Sequence, residues 1–135
     1  MKTPKEVDKV AFIEIQNGQI LSTKSKGKTK YYIPGGKREK GESDEQTLIR
    51  EITEELSVAI IPNTAEYIGS FSAQSDEAEK GIRVIMTCYK AKYIGHLKAN
   101  SEIEELRWLN YSDLDIISEV DKKIFQFLHD KEVLV

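Results

Sequence analysis

Three glutamates, Glu51, Glu54 and Glu55, stand close together in the segment that follows Gly35 and Gly36. On an α-helix with about 3.6 residues per turn, Glu51 and Glu55 are one turn apart and Glu54 lies beside both. Each like-charged pair costs roughly 0.2–0.5 kcal/mol, which a solvated helix tolerates, so repulsion alone does not establish a site. A hard divalent cation would turn the repulsion into coordination. Oxygen ligands suit Mg²⁺ or Mn²⁺ and argue against zinc, for which Cys or His ligands are expected.

The helix that would carry these glutamates also has an apolar stripe, about 120° around the helix from the acidic one. Its members are Leu48, Ile49, Ile52 and Leu56. Ser43, followed three residues later by Gln46, predicts a capping box at the start of the helix. The pattern therefore indicates a helix that buries one face and presents acid on the neighbouring face.

The spacing of this segment resembles the Nudix box, G-x5-E-x7-R-E-U-x-E-E-x-G-U, in which U is a bulky aliphatic residue. Here Gly36 is followed after five residues by Glu42 and after seven more by Arg50, which opens the run REITEELSV. Every position fits except Ser57, which stands where the family usually has glycine. Glycine suits a left-handed helix end, so Ser57 bears on the exit turn rather than on the chemistry.

The resemblance implies an enzyme that hydrolyses a pyrophosphate bond in a nucleoside diphosphate linked to another group X, with Mg²⁺ as cofactor and Mn²⁺ as an alternative. The metal ligands that it implies are Glu51, Glu54, Glu55 and the backbone carbonyl of Gly36. Arg50 is expected to orient a helix glutamate. Glu42 is expected either to ligate the metal through water or to anchor the loop.

A glutamate outside the box contributes to metal binding or water activation in much of the family. The run Ser101 to Trp108 offers Glu102, Glu104 and Glu105. We prefer Glu102, expected on a loop before a strand, as metal ligand and catalytic residue beside Glu51, Glu54 and Arg50. A solvated acidic turn is the alternative.

Candidate substrate contacts are the Gly36 backbone and two basic residues of the loop, Lys37 and Arg38. A small domain of this kind looks most like the MutT-type (d)NTP pyrophosphohydrolases. Hydrolases of nucleotide sugars, ADP-ribose or dinucleoside polyphosphates are alternatives, and so is a Nudix domain that senses nucleotide without cleaving it.

The composition limits the kinds of partner and the cellular compartment that we expect for this protein. The 135 residues carry a formal net charge of −3, which gives no general reason to bind nucleic acid or an anionic membrane. Cys88 is the only cysteine, so no internal disulfide is possible and a reducing compartment is expected. Neither a signal peptide nor a membrane span is visible. We expect a cytoplasmic monomer or homodimer whose partner is a small-molecule nucleotide.

The remaining pattern predicts one domain over residues 1–135 with mixed strands. Strands are expected at 7–14, 20–23, 31–33, 67–73, 82–93 and 105–109, with Asn17-Gly18 as a hairpin turn. A short helix is expected at 112–116, and Ser118 should cap a longer one whose Val120, Ile124, Phe127 and Leu128 face the core. The pattern alone indicates an α+β or α/β domain. The resemblance implies an α/β/α sandwich, a mixed sheet with a central acidic helix and a C-terminal helix.

Overall fold

A computed structural model describes residues 5–75 and 81–135 of the chain. Its described residues form nine strands, two α-helices and a 3₁₀ segment. The strands are β1 Glu6–Phe12, β2 Ile15–Gln16, β3 Gln19–Ser25, β4 Gly35–Lys37, β5 Ala59–Ile60, β6 Glu66–Gln74, β7 Arg83–Lys90, β8 Tyr93–Ile94 and β9 Ile103–Leu109. The helices are α1 Asp44–Leu56 and α2 Glu119–Asp130, and the 3₁₀ segment is Tyr111–Ile116.

The largest sheet is mixed and has the strand order β4-β1-β7-β6. Strand β1 runs parallel to β7 and antiparallel to β4, while β6 is antiparallel to β7. A second sheet has the order β2-β3-β9, and β5 pairs with β8. Most of the strand expected at 82–93 is β7, which lies between β1 and β6, whereas Tyr93 and Ile94 form β8 and pair with β5.

Side-chain alternation along β1 builds two cores, one on each face of the sheet. Val10 and Phe12 pack with the apolar face of α1, which buries Leu48, Ile52 and Leu56. Ala11 and Ile13 belong to the other cluster, which contains the buried residues of α2. Burying each large aliphatic side chain contributes about 1.5–3 kcal/mol, so the sheet and both helices stabilise one another. This arrangement is the predicted α/β/α sandwich.

Several local predictions are confirmed. Asn17 and Gly18 both have positive φ and join β2 to β3 in a tight hairpin. The capping box of Ser43 and Gln46 begins α1, and Ser118 caps α2. In α2, however, Phe125 is fully buried while Phe127 is half-buried against Phe71.

The structure differs from the sequence-based prediction on either side of Pro34. Residues 31–33 were expected to be a strand but form only isolated bridges from Tyr31 and Tyr32. The Ile33 N–H donates instead to Asp121 Oδ2 at 2.9 Å, and proline has no N–H to continue a ladder. The expected loop at Gly35 is in fact strand β4. A Cβ atom on Gly35 would overlap the carbonyl oxygen of Val10, so only glycine allows this pairing.

Cys88 is fully buried, and burial raises the pKa of its thiol to about 12. Neither helix of the described residues is long and apolar enough to cross a membrane.

Ser57 ends α1 in the left-handed conformation, with φ of 62° and ψ of 25°. A residue with a Cβ atom is disfavoured there, whereas glycine is not. We therefore expect Ser57→Gly to raise the free energy of unfolding by about 0.5–1 kcal/mol, measured by urea denaturation. Ser57→Ala is the matched control and should gain nothing, since alanine keeps the Cβ atom. Equal effects of the two substitutions would contradict this interpretation.

Candidate active site

Helix α1 places its glutamates against the loop and strand that precede it. Because Leu48, Ile52 and Leu56 are held in the core, the helix cannot rotate, and its acidic face is fixed towards β4. The contact is close. A Cβ atom on Gly36 would lie 2.5 and 2.6 Å from the two carboxylate oxygens of Glu51. Glycine is therefore required at position 36 so that the Glu51 carboxylate can lie against the backbone.

Arg50 braces the acidic face from the side of the loop. Its Nε and Nη2 atoms donate to the two carboxylate oxygens of Glu42 at 2.7 and 2.9 Å. Its Nη1 donates to Glu51 Oε1 at 2.8 Å, and Nη2 also donates to the Lys37 carbonyl oxygen at 3.0 Å. A bidentate guanidinium–carboxylate pair fixes both partners in one plane. Arg50 thus orients Glu51 and holds the loop to the helix at the same time.

Glu42 is an anchor of the loop. Besides Arg50, its carboxylate accepts hydrogen bonds from the Glu39 N–H at 2.7 Å and the Thr47 hydroxyl at 3.0 Å. The Arg50 guanidinium and then the Glu39 N–H lower the pKa of Glu42 to about 2. Of the two roles expected for Glu42, the geometry favours anchoring, because both oxygens are already bonded.

Glu55 is the most perturbed carboxyl group of the site. Burial, followed by the negative charge of Glu51, raises its pKa to about 8, and the charge of Glu102 acts in the same direction. The Gly35 N–H, 3.4 Å from Glu55 Oε1, opposes the shift. The Glu55 carboxyl group is therefore driven towards its neutral form at a place where a cation could sit.

The other two predicted ligands border this pair. The Glu54 side chain is 54% exposed, and its carboxylate lies 3.7 Å from Arg50 Nη1. Glu102 lies on the turn before β9, as expected, and shares a pocket with Gly35 and Glu55. Glu104 instead lies within β9, where it forms an ion pair with Lys24 at 2.5 Å. Glu102 and Glu104 therefore differ in their surroundings, because Glu102 lines the pocket whereas Glu104 is paired with Lys24.

The oxygen donors of this region fit a hard divalent cation. Within residues 5–75 and 81–135, no three Asp, Glu, His or Cys side chains are preassembled around a single point. Glu51 and Glu55 are close enough for the charge of Glu51 to raise the pKa of Glu55. A cation beside these two carboxyl groups would relieve the repulsion and would draw on Glu54 from the exposed side. The donor set is entirely oxygen, which suits Mg²⁺ or Mn²⁺.

The two basic residues predicted to contact substrate are not brought to this pocket. Arg38 donates from Nε to Asp44 Oδ1 at 2.5 Å and forms a second ion pair with Asp8 at 2.9 Å. Asp44 also accepts from the Tyr89 hydroxyl at 2.5 Å. Lys37 has an exposed side chain on β4, and its backbone carbonyl oxygen accepts a hydrogen bond from Arg50. Arg38 therefore links the loop, the start of α1 and the sheet.

A pocket of about 330 Å³ opens beside Gly35, Glu55 and Glu102. Its size falls within the range of small-molecule sites. Its apolar lining is supplied by Ile33, Val84, Met86, Ile103 and Val120. Polar groups at its wall include Lys9, Thr23, Lys26, Lys28 and Asp121. Sequence reasoning missed Lys9 and Asp121. Lys9 gave no local signal, because it follows Glu6 and Asp8 in the charged first half of β1.

Comparisons with known proteins agree with this geometry. A family model described as the NUDIX domain matches residues 5–130. No curated protein matches the chain. The solution structure of the E. coli ORF135 protein is 24% identical, with 95% of this chain and 91% of that chain covered and a TM-score of 0.74.

Two further solved structures share the fold. A mutator MutT protein from Bacillus halodurans is 27% identical, with 88% of this chain and 79% of that chain covered and a TM-score of 0.68. A UDP-X diphosphatase is 15% identical, with 98% of this chain and 66% of that chain covered and a TM-score of 0.67. Since the family model spans nearly the whole chain, the chain belongs to the NUDIX domain family and is a Nudix pyrophosphohydrolase.

Proposed function

We propose that this Nudix hydrolase is a (d)NTP pyrophosphohydrolase, which cleaves a nucleoside triphosphate to the monophosphate and pyrophosphate. The observation that carries the proposal is the pocket of about 330 Å³ that runs from Gly35, Glu55 and Glu102 over an apolar floor. A polyphosphate would bind at the acidic end of such a pocket through a cation, and an aromatic base would pack against its apolar side chains. The same pocket can therefore bind both parts of a nucleotide.

Nudix hydrolases act on nucleotides with divalent metal ions, and we propose Mg²⁺ here, with Mn²⁺ as a substitute. The residues that would hold the ion are Glu51, Glu54, Glu55, Glu102 and the Gly36 carbonyl. When bound, the ion neutralises polyphosphate charge and lowers the pKa of a coordinated water.

The chain's own residues supply positioning and proton transfer. Arg50 fixes the Glu51 carboxylate through the 2.8 Å hydrogen bond from Nη1, so the oxygen that faces β4 does not turn away. Glu102, exposed at the mouth of the pocket, is the proposed acceptor of a proton from the attacking water. Glu51 is the next candidate for that role, because its carboxylate lies directly against Gly36.

One alternative to this proposal is favoured by a specific observation, and another is disfavoured. The fold shared with a UDP-X diphosphatase keeps nucleotide sugars, and with them ADP-ribose and dinucleoside polyphosphates, as candidate substrates. A nucleotide-sensing domain would have no use for the repulsion between Glu51 and Glu55, which raises the pKa of Glu55 to about 8. The repulsion therefore argues for catalysis. Cytoplasmic location and a monomeric or homodimeric state stay predictions.

The proposed reaction is tested with a panel of nucleoside triphosphates, nucleotide sugars, ADP-ribose and dinucleoside polyphosphates. We expect the highest kcat/KM for one or more triphosphates, with release of pyrophosphate that requires Mg²⁺ or Mn²⁺ and stops with EDTA. Glu54→Gln keeps the side-chain volume and should lower kcat by at least about 100-fold without unfolding the protein. Preference for a nucleotide sugar would replace the triphosphate proposal. Full activity in EDTA would contradict the metal mechanism.

The role of Glu102 is separable from that of its neighbour. We expect Glu102→Gln to lower kcat by at least about tenfold with little change in KM, because a proton acceptor acts in the transition state. Glu104→Gln is the matched control, since Glu104 is paired with Lys24 within β9, and should leave kcat within about twofold. Equal, small effects on kcat would mean that Glu102 and Glu104 are both only solvated, and Glu51 would then be the proposed proton acceptor.

A further inference from the structure

Lys9 is a basic residue on the face of the sheet that forms the pocket. Val10 and Phe12 of β1 pack on the α1 side, whereas Ala11 and Ile13 pack on the α2 side. By alternation Lys9 belongs with Ala11, on the α2 side. Its half-buried side chain lines the pocket there. Asp8, its neighbour, points to the other face and pairs with Arg38.

Within the sheet, Lys9 lies between Met86 of β7, a buried residue, and Lys37 of β4. Val84 of β7 lines the same pocket, so the apolar neighbours of Lys9 are on the β7 side. Within residues 5–75 and 81–135, the Lys9 ammonium has no ion pair or side-chain hydrogen bond. Lys24 and Arg38, by contrast, are both engaged by carboxylates. An ammonium group over apolar surface loses hydration and is stabilised by any acceptor that a ligand brings.

The position of Lys9 along β1 identifies which part of a ligand it meets. Ala11 pairs with Gly35, at the acidic end of the pocket. Lys9 is two residues further back, which corresponds to about 6.5–7 Å along the strand. A nucleotide whose phosphates lie at Gly35 and Glu55 would extend its base over Met86 towards Lys9.

We propose that Lys9 determines base specificity by donating a hydrogen bond to a carbonyl oxygen of the nucleobase. This inference rests on the proposed function, because it assumes that the ligand of the pocket is a nucleotide. Guanine presents O6, and the pyrimidines present O2 or O4, as acceptors. Adenine shares the N7 acceptor with guanine but presents N6–H₂, a donor, in place of the O6 carbonyl, so it cannot form this hydrogen bond. Lys9 therefore favours guanine and pyrimidine nucleotides over adenine nucleotides.

The test measures binding of the four nucleoside monophosphates GMP, CMP, UMP and AMP by titration calorimetry. The wild type should bind at least one carbonyl-bearing nucleotide more tightly than AMP. Lys9→Met keeps a long, unbranched apolar side chain and removes the ammonium group. It should raise the Kd of that nucleotide by about tenfold or more and change the Kd of AMP by less than about twofold. In turnover of the corresponding triphosphate, KM should rise while kcat is kept.

Lys92→Met is the matched control, since Lys92 is exposed and lies outside the pocket lining, and should leave all four Kd values unchanged. Thermal melting of both variants checks the fold. An equal loss for all four nucleotides would make Lys9 a phosphate contact and overturn the proposal, as would no loss. A wild type that binds none of the four would overturn the nucleotide function itself, whereas the first two results would leave that function standing.

Discussion

The contact between the Gly36 backbone and the Glu51 carboxylate is the constraint on which the rest of the site depends. It brings a carboxylate so close to a strand that a Cβ atom on Gly36 would lie 2.5 Å from Glu51 Oε1. Strand β4 can approach because Gly35 and Gly36 lack side chains, and helix α1 cannot withdraw because its apolar face is buried against β1. Arg50 then bonds Glu51, Glu42 and the Lys37 carbonyl, so the loop, the strand and the helix are fixed together.

This arrangement stores electrostatic repulsion at one place in the fold. Glu42, in the loop before α1, is stabilised as an anion by Arg50, whereas Glu55, near the end of α1, is driven towards its neutral form by burial and by Glu51. The pKa values of these two glutamates are shifted in opposite directions because their neighbouring groups differ. A carboxyl group that its surroundings drive towards the neutral form is well suited to exchange its proton for a divalent ion, as the proposed metal site requires.

Strand β1 serves both sides of the sandwich. Its residues Val10 and Phe12 hold α1 in place, and its residue Lys9 lines the ligand pocket on the opposite face. The metal proposal and the base-specificity proposal therefore depend on one strand, through side chains that alternate in direction. In these two proposals the residues of the Nudix box carry out the chemistry, and Lys9 of β1 contributes to the choice of substrate.

The sequence predicted the parts of the structure that depend on neighbours in the chain. The capping box at Ser43, the Asn17-Gly18 turn and the buried stripe of α1 follow from local spacing, and the acidic cluster follows from the resemblance of one segment to a family. Contacts between distant residues were missed. The pairing of Arg38 with Asp8 and the hydrogen bond from Ile33 to Asp121, 88 residues apart, depend on strand register and helix docking. Local periodicity carries no information about either of them.

Thermal unfolding of the wild type and of Glu55→Gln tests whether the repulsion between these glutamates is retained for a divalent cation. Without metal we expect the variant to melt higher, by a margin that grows as pH rises from about 4.5 to about 8. In this range the unfolded chain ionises Glu55, whose ordinary pKa is 4.5, while the folded protein retains the proton up to about 8. With saturating Mg²⁺ the order should reverse, because the ion binds the folded wild type and raises its melting temperature. A wild type whose melting temperature is indifferent to Mg²⁺ and Mn²⁺, or a variant that melts lower than wild type without metal, would contradict the account.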